Sequence, residues 1–362
     1  MISVMTASIR RAAAGWRAVG WWVPLTVVLA ACLPSRLSGD EGRWTETDFY
    51  RKAKATRPFV VVGSNDPAKA VSVIGAPRLY YPHKGDTFLD IARFYGLGYN
   101  ELEMANPGVD PWVPPEGKAI ILPTEFVLPQ APYEGIVVNI PEMRLYYFHK
   151  GKGAQLVSTW PVGLGRDEWR TPQAKFHVRG KTINPAWNIP ESIRKERIAE
   201  KGFSETTIPG GSPDNPLGKY RISLTLPMYG IHGTNIPWGV GMQVSHGCVR
   251  LYPEDIEELF PMVPVGTPGQ FVYQPVLIGA RRGRIYAQVV PDIYRLTPGL
   301  FREAERIIQS LGWTNRVDPA RLERAVEEQT GIPVDITRGG GAEDELHPTR
   351  EDAPEETWRR MG

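Results

Sequence analysis

Short apolar runs bounded by turn residues dominate this chain, and they predict strands more often than helices. Ile136-Val137-Val138-Asn139-Ile140, Arg144-Leu145-Tyr146-Tyr147-Phe148 and Leu156-Val157-Ser158-Thr159-Trp160 are rich in β-branched and aromatic residues. His149-Lys150-Gly151-Lys152-Gly153 joins the last two as a hairpin. Further strands are expected at 78–81, 119–123, 175–178, 221–224, 229–232 and 269–273, and 281–289 reads as a strand after a basic turn. Helical spacing is confined to a few windows. Phe88, Ile91, Ala92 and Tyr95 share one face behind a Thr87/Asp90 capping pair, and a second helix at 99–105 stops at Asn106-Pro107-Gly108. Pro253-Glu254-Asp255 opens another, with acids where the helix dipole favours them and Ile256, Leu259 and Phe260 as its buried face. Phe301, Ala304, Ile307, Ile308 and Leu311 mark one late helix; Leu322, Ala325 and Val326 follow Asp318-Pro319 as another.

These elements predict a mostly β fold with α/β elements. A small strand–helix–helix–strand unit occupies 78–123, a β-rich domain 134–274, and a helical accessory segment 275–337. Residues 32–77 read as a spacer in which Phe59-Val60-Val61-Val62 is a short strand. From 338 to 362 glycine, proline and charge dominate, and a disordered tail is expected.

Residues 1–31 hold Arg10, Arg11 and Arg17, no acid, and an apolar run from Trp21 to Ala31. That is the layout of an export signal rather than of a spanning helix. Its end, Leu29-Ala30-Ala31-Cys32, resembles the lipobox of bacterial lipoproteins. The resemblance implies cleavage before Cys32 and its acylation, hence a lipid anchor in the cell envelope. Leu33 occupies the position where aspartate favours inner-membrane retention, so the periplasmic side of the outer membrane is the preferred location.

The whole chain carries 42 basic and 40 acidic residues; without the three arginines of the leader, 39 face 40. No basic block stands out, and nucleic acid is not expected as a partner. With only two cysteines, and Cys32 acylated, Cys248 is an unpaired thiol in an oxidising compartment, which marks it as reactive.

Cys248 stands in Ser245-His246-Gly247-Cys248-Val249-Arg250, and twelve residues separate Ser245 from His232. A thiol is a few per cent ionised at neutral pH, so it needs a base within reach and gains from a nearby cation. His232 and His246 are the local bases, and Arg250 is a cation that favours ionised sulfur. Gly233 and Gly247 let backbone approach a reacting carbonyl. A zinc site built from His232, His246 and Cys248 lacks a second pair at ligand spacing, and no metal or other cofactor is expected.

His232-Gly233-Thr234 followed by Ser245–Arg250, together with Gly163-Leu164-Gly165, Thr171-Pro172, Asn184-Pro185-Ala186-Trp187 and Asn215-Pro216-Leu217-Gly218, resembles the L,D-transpeptidase (YkuD-like) family over about 134–274. The resemblance implies Cys248 as nucleophile, His232 as base and then acid, and the Gly233 carbonyl as the group that orients the ring. It implies an oxyanion hole from the Gly247 and Cys248 amides with His246. Ser245 and Arg250 are implied as loop-shaping and substrate-binding residues, Arg250 toward a substrate carboxylate. The unit at 78–123, with Gly85-Asp86-Thr87, Asn100-Glu101-Leu102 and Ala105-Asn106-Pro107, resembles the LysM module, which implies glycans containing N-acetylglucosamine.

The partners so implied are peptidoglycan stem peptides, glycan strands, the membrane through the anchor, and an outer-membrane lipoprotein as an acceptor. The implied reaction is acyl transfer through a cysteine thioester, giving 3→3 cross-links or lipoprotein attachment. An L,D-carboxypeptidase or hydrolase of the same linkage, and an idle wall-binding scaffold, are the competing readings.

Overall fold

A computed structural model describes residues 58–340 and the backbone of 349–350. The leader, Cys32, the first part of the spacer and most of the tail lie outside the described residues. A nine-stranded mixed sheet organises the rest. Its order is Phe59–Val61, Gln155–Pro161, Arg144–Lys150, Gly135–Asn139, Pro268–Val272, Ala174–Ile183, Tyr220–Leu224, Gly230–His232 and Val249–Arg250. Neighbours are antiparallel except at Gly135–Asn139 with Pro268–Val272, and at Gly230–His232 with Val249–Arg250.

The central strands read as continuous apolar runs because both of their faces are buried. Ile136, Val138, Leu145 and Tyr147 point into one core, shared with Trp160, Phe176, Ile222, Ile231, Val249 and the Pro253–Met262 helix. Val137, Tyr146, Phe148 and Val157 point the other way, onto Tyr80, Phe88, Ile91, Leu97, Leu102, Ile120 and Leu122. The strand–helix–helix–strand unit is therefore one layer of the molecule. Its elements run Arg78–Tyr80, Phe88–Phe94, Tyr99–Ala105, Ile120–Leu122, in the order expected, and its two strands pair antiparallel. Thr87 caps the first helix by accepting from the Asp90 amide at 3.3 Å.

Two buried ion pairs bolt this layer down. Arg144, on the sheet, makes two bonds of 2.7 Å to the Glu101 carboxylate and donates to the Gly96 carbonyl at 3.1 Å. Arg93 makes two bonds of 3.0 Å to Glu254 at the start of the Pro253–Met262 helix.

The accessory segment differs from the helical one expected. Val276–Arg281 and Arg284–Val289 form a hairpin that pairs with Val334–Asp335, and the helices Leu300–Ser310 and Pro319–Glu328 pack on that sheet. The first hairpin strand is buried on both faces, so it shows no alternation for a sequence reading to catch. A helix at Glu191–Lys201 was also not expected: it buries no residue and so carries no apolar stripe. In the tail, Thr349–Arg350 lies parallel to Arg78–Leu79, and the Arg338 amide donates to Arg316 at 2.7 Å. At these points of the tail the described residues carry main-chain pairing.

Removing Arg144 strands a buried carboxylate. We expect Arg144→Ala to cost about 3–5 kcal/mol, read as a lowered urea midpoint. An unchanged midpoint would show that Glu101 is solvated.

Candidate active site

The site grows from three adjacent strands at one end of the large sheet. Arg221 is opposite His232 in the antiparallel pair, and His232 is opposite Arg250 in the parallel pair. Because strand side chains alternate, Ile222, Ile231 and Val249, each 0 % exposed, fill the core. Arg221, His232 and Arg250 then share the other face as one row, an imidazole flanked by two guanidiniums.

His232 is 3 % exposed, and its Nδ1 lies 2.7 Å from the Gly233 carbonyl oxygen. A carbonyl only accepts, so Nδ1 carries the proton and Nε2 presents a lone pair. Burial, and then the charge of Arg250, lower the ring pKa to about 3, with the Gly233 bond opposing and Arg221 adding to the fall. The resting ring is a neutral base in the useful tautomer.

Cys248 immediately precedes Val249–Arg250, which brings its sulfur to the start of Gly230–His232. Its Sγ lies 3.6 Å from the Met228 carbonyl oxygen. Burial pushes the thiol above its ordinary value of 9.0, while a hydrogen bond with the Gly230 backbone and the charges of Arg221 and Arg250 pull it back. Arg250 thus favours the ionised sulfur, but desolvation outweighs that Coulomb gain. Thiol and imidazole are both neutral at rest, so a thiolate forms here only if a proton moves.

The turn before the thiol is held from inside. Gly247 has φ +100°, and a Cβ there would stand 2.7 Å from Cε1 of Tyr229, so only glycine fits. Ser245, 1 % exposed, accepts from the Gly247 amide at 3.0 Å and donates to the Cys248 carbonyl at 2.6 Å. Its hydroxyl thus ties the two ends of the turn together. Thr171 Oγ1 donates to the Gly247 carbonyl at 3.0 Å and accepts from the Gly165 amide at 3.1 Å. The Tyr294 hydroxyl completes the chain, donating to the Gly165 carbonyl at 2.5 Å and accepting from the Thr171 amide at 3.3 Å. Asn215 secures the neighbouring loop through the Pro185 and Pro209 carbonyls and the Leu217 amide. Gly165, Thr171, Pro185 and Asn215, from the motif pieces singled out in the sequence, thus brace the thiol turn and the loop beside it.

His246 is placed differently from His232. Its Nε2 lies 2.6 Å from Glu196 Oε2 and 2.8 Å from Arg166 Nη2, and Arg166 also pairs with Glu196. The Glu196 carboxyl is held below its usual range by the bond to His246 first and by Arg166 second. The ring Nε2 is therefore engaged by the Glu191–Lys201 helix. Arg221, Glu196 and Tyr294 were not found by sequence reasoning. For Arg221 a signal existed, since strand alternation opposite His232 puts it on the same face; the other two depend on contacts between distant segments.

Comparison with known proteins gives these residues a context. The L,D-transpeptidase catalytic domain, YkuD, matches residues 134–278. "Probable L,D-transpeptidase YcfS" of Escherichia coli strain K12 is 35% identical over 266 residues, which cover 70% of this chain and 81% of that protein. "Probable L,D-transpeptidase ErfK/SrfK" of Salmonella typhimurium is 33% identical over 284 residues, 75% of this chain and 90% of that one. "Probable L,D-transpeptidase YbiS" of Escherichia coli strain K12 is 34% identical over 296 residues, 76% and 95% of the two chains. The likeness therefore extends well beyond 134–278.

Two outcomes are expected. Alkylation of Cys248 by iodoacetamide should be slower at pH 7 than that of a free thiol, and should rise with pH to above 9, since the thiolate fraction grows only as pH passes the raised pKa; a fast plateau near neutrality would indicate a preformed ion pair. Tyr294→Phe leaves the buried Gly165 carbonyl without its donor, which costs about 1–3 kcal/mol in a urea titration, and should slow acylation; wild-type values for both would show that the hydroxyl is idle.

Proposed function

The chain belongs to the L,D-transpeptidase family, and from that premise we propose that Cys248 carries an acyl group between peptidoglycan stem peptides in two amide-exchange steps. In the first, His232 Nε2 takes the thiol proton as sulfur attacks the carbonyl of the third stem residue. The carbon–nitrogen bond to the terminal D-alanine breaks, His232 returns the proton to the departing amine, and a thioester remains. In the second, an amine attacks the thioester, loses its proton to His232, and regenerates the thiol. That amine is the side chain of a second diaminopimelate residue, giving a 3→3 link, or the terminal lysine of an outer-membrane lipoprotein. Energy comes from the broken amide, so no nucleotide is needed.

The observation that carries this reading is the neutral His232 ring, its Nδ1 bonded to the Gly233 carbonyl, one strand from the residue that follows the thiol. The Gly247 and Cys248 amides, at the glycine turn that Ser245 and Thr171 brace, are the donors proposed for the oxyanion, each of the kind worth about 3–4 kcal/mol in a transition state. For His246 the proposal keeps a supporting part at the rim, given its bonds to Glu196 and Arg166. The LysM-like unit is proposed to hold glycan strands, and Cys32 to anchor the protein at the periplasmic face of the outer membrane.

Intact-mass analysis of the protein incubated with a disaccharide-tetrapeptide is the direct test. We expect an adduct equal to the donor less one D-alanine on the wild type and none on Cys248→Ala, with 3→3 dimers or lysine-bearing remnants among the products. An adduct that persists in Cys248→Ala would remove Cys248 from its role.

A further inference from the structure

We propose that the contact between Gly98 and Gly241 makes the strand–helix–helix–strand unit part of the acyl-transfer machinery, as the support that sets the depth of the segment running from His232 to Cys248. The inference rests on the acyl-transfer reading above. It adds to that reading a positioning residue, Gly98, that lies outside the stretch matching the catalytic domain.

Two main chains meet here with no side chain between them. A Cβ on Gly98 would stand 2.6 Å from the Gly241 Cα, and one on Gly241 would stand 2.4 Å from the Gly98 Cα. Gly98 has φ −86° and ψ 156°, extended backbone open to any residue, so the close approach alone calls for glycine there. Beside the contact, the Tyr99 amide donates to the Val240 carbonyl at 3.3 Å and the Asn100 amide to the Gly241 carbonyl at 3.4 Å. The supporting side is held firmly. The Gly98 amide donates to Glu101 at 2.6 Å, and Glu101 is the carboxylate that Arg144 grips from the sheet. The Tyr252 hydroxyl donates to the Leu97 carbonyl at 3.2 Å.

From Gly241 a run of hydrogen bonds leads to the thiol. The Gly241 amide donates to the Val162 carbonyl at 3.2 Å and the Leu164 amide to the Met242 carbonyl at 3.0 Å, after which Gln243–Ser245 pairs in parallel with Leu164–Gly165. Gly165 is tied through Thr171 to the Gly247 carbonyl, and Gly163 exchanges main-chain bonds with Arg250 on the other side of Cys248. The thiol turn is therefore fixed on both flanks to the segment Gly163–Gly165, and that segment is fixed to the glycine contact. A Cβ at Gly98 meets backbone, which cannot rotate aside as a side chain does, so it displaces Val240–Met242 and the bonds that follow. In a reaction that depends on alignment, a misplacement of about 1 Å costs up to about a hundredfold.

The test uses Gly98→Ala in the full-length protein, with a glycan-free tetrapeptide as donor so that any hold on glycan strands plays no part. The maximal acylation rate should fall by roughly ten- to a hundredfold, with the half-saturating donor concentration nearly unchanged. Iodoacetamide should meanwhile alkylate Cys248 at lower pH than in the wild type, because a displaced turn lets water reach the buried thiol. Gly279→Ala is the matched control. Its Cβ would stand 2.7 Å from Val127 Cγ1, beside the accessory hairpin, so it should lower the urea midpoint and leave rate and profile in place. Should Gly98→Ala not fold, Tyr99→Pro removes the amide bond to Val240 at the first position of the helix, where proline is tolerated, and the same slowing and shift are expected. A wild-type rate and profile in the folded variant, or an equal loss in Gly279→Ala, overturns the proposal and leaves the contact as packing. A wild type that the donor does not acylate overturns the acyl-transfer reading instead, and the alkylation profiles, which need no donor, still decide the contact.

Discussion

The register between Gly230–His232 and Val249–Arg250 is the constraint on which everything else depends. Two residues of parallel pairing bring together segments that the chain separates by a long excursion. Behind them, Ile222, Ile231 and Val249 are sealed in the core, so the strands cannot slip by one position without turning three apolar side chains outward and the charged row inward. Hydrophobic burial on one face thereby sets the electrostatics of the other. The family resemblance named Cys248 and His232, but their usefulness comes from this packing.

Burial also decides the resting chemistry. A histidine between two guanidiniums in a dry setting does not protonate near neutrality, and a cysteine beside the same cations still holds its proton because desolvation dominates. The site is therefore poised rather than charged. A thiol that holds its proton reacts more slowly with oxidants that act on thiolates.

Legibility from the sequence followed the range of the interaction. The thiol loop, the capped helix after Thr87 and the helix that starts at Pro253 are local features, and each stands where residue types predicted it. The Glu191–Lys201 helix escaped because it buries nothing and so has no apolar stripe to betray it. His246 carries the expected motif, yet its partner Glu196 is 50 residues away in that same unseen helix. Arg221 was within reach of an alternation argument, but only once the strand pairing was known. Sequence singled out Cys248 and His232, while the second cation and the outer support of the loop needed tertiary contacts.

Tyr294 stands past the end of the stretch that matches the catalytic domain, yet its hydroxyl is built into the wall behind the thiol turn. The turn therefore leans on a residue outside the 134–278 match, and a fragment cut at 278 would lose the hydroxyl that closes its hydrogen-bond chain.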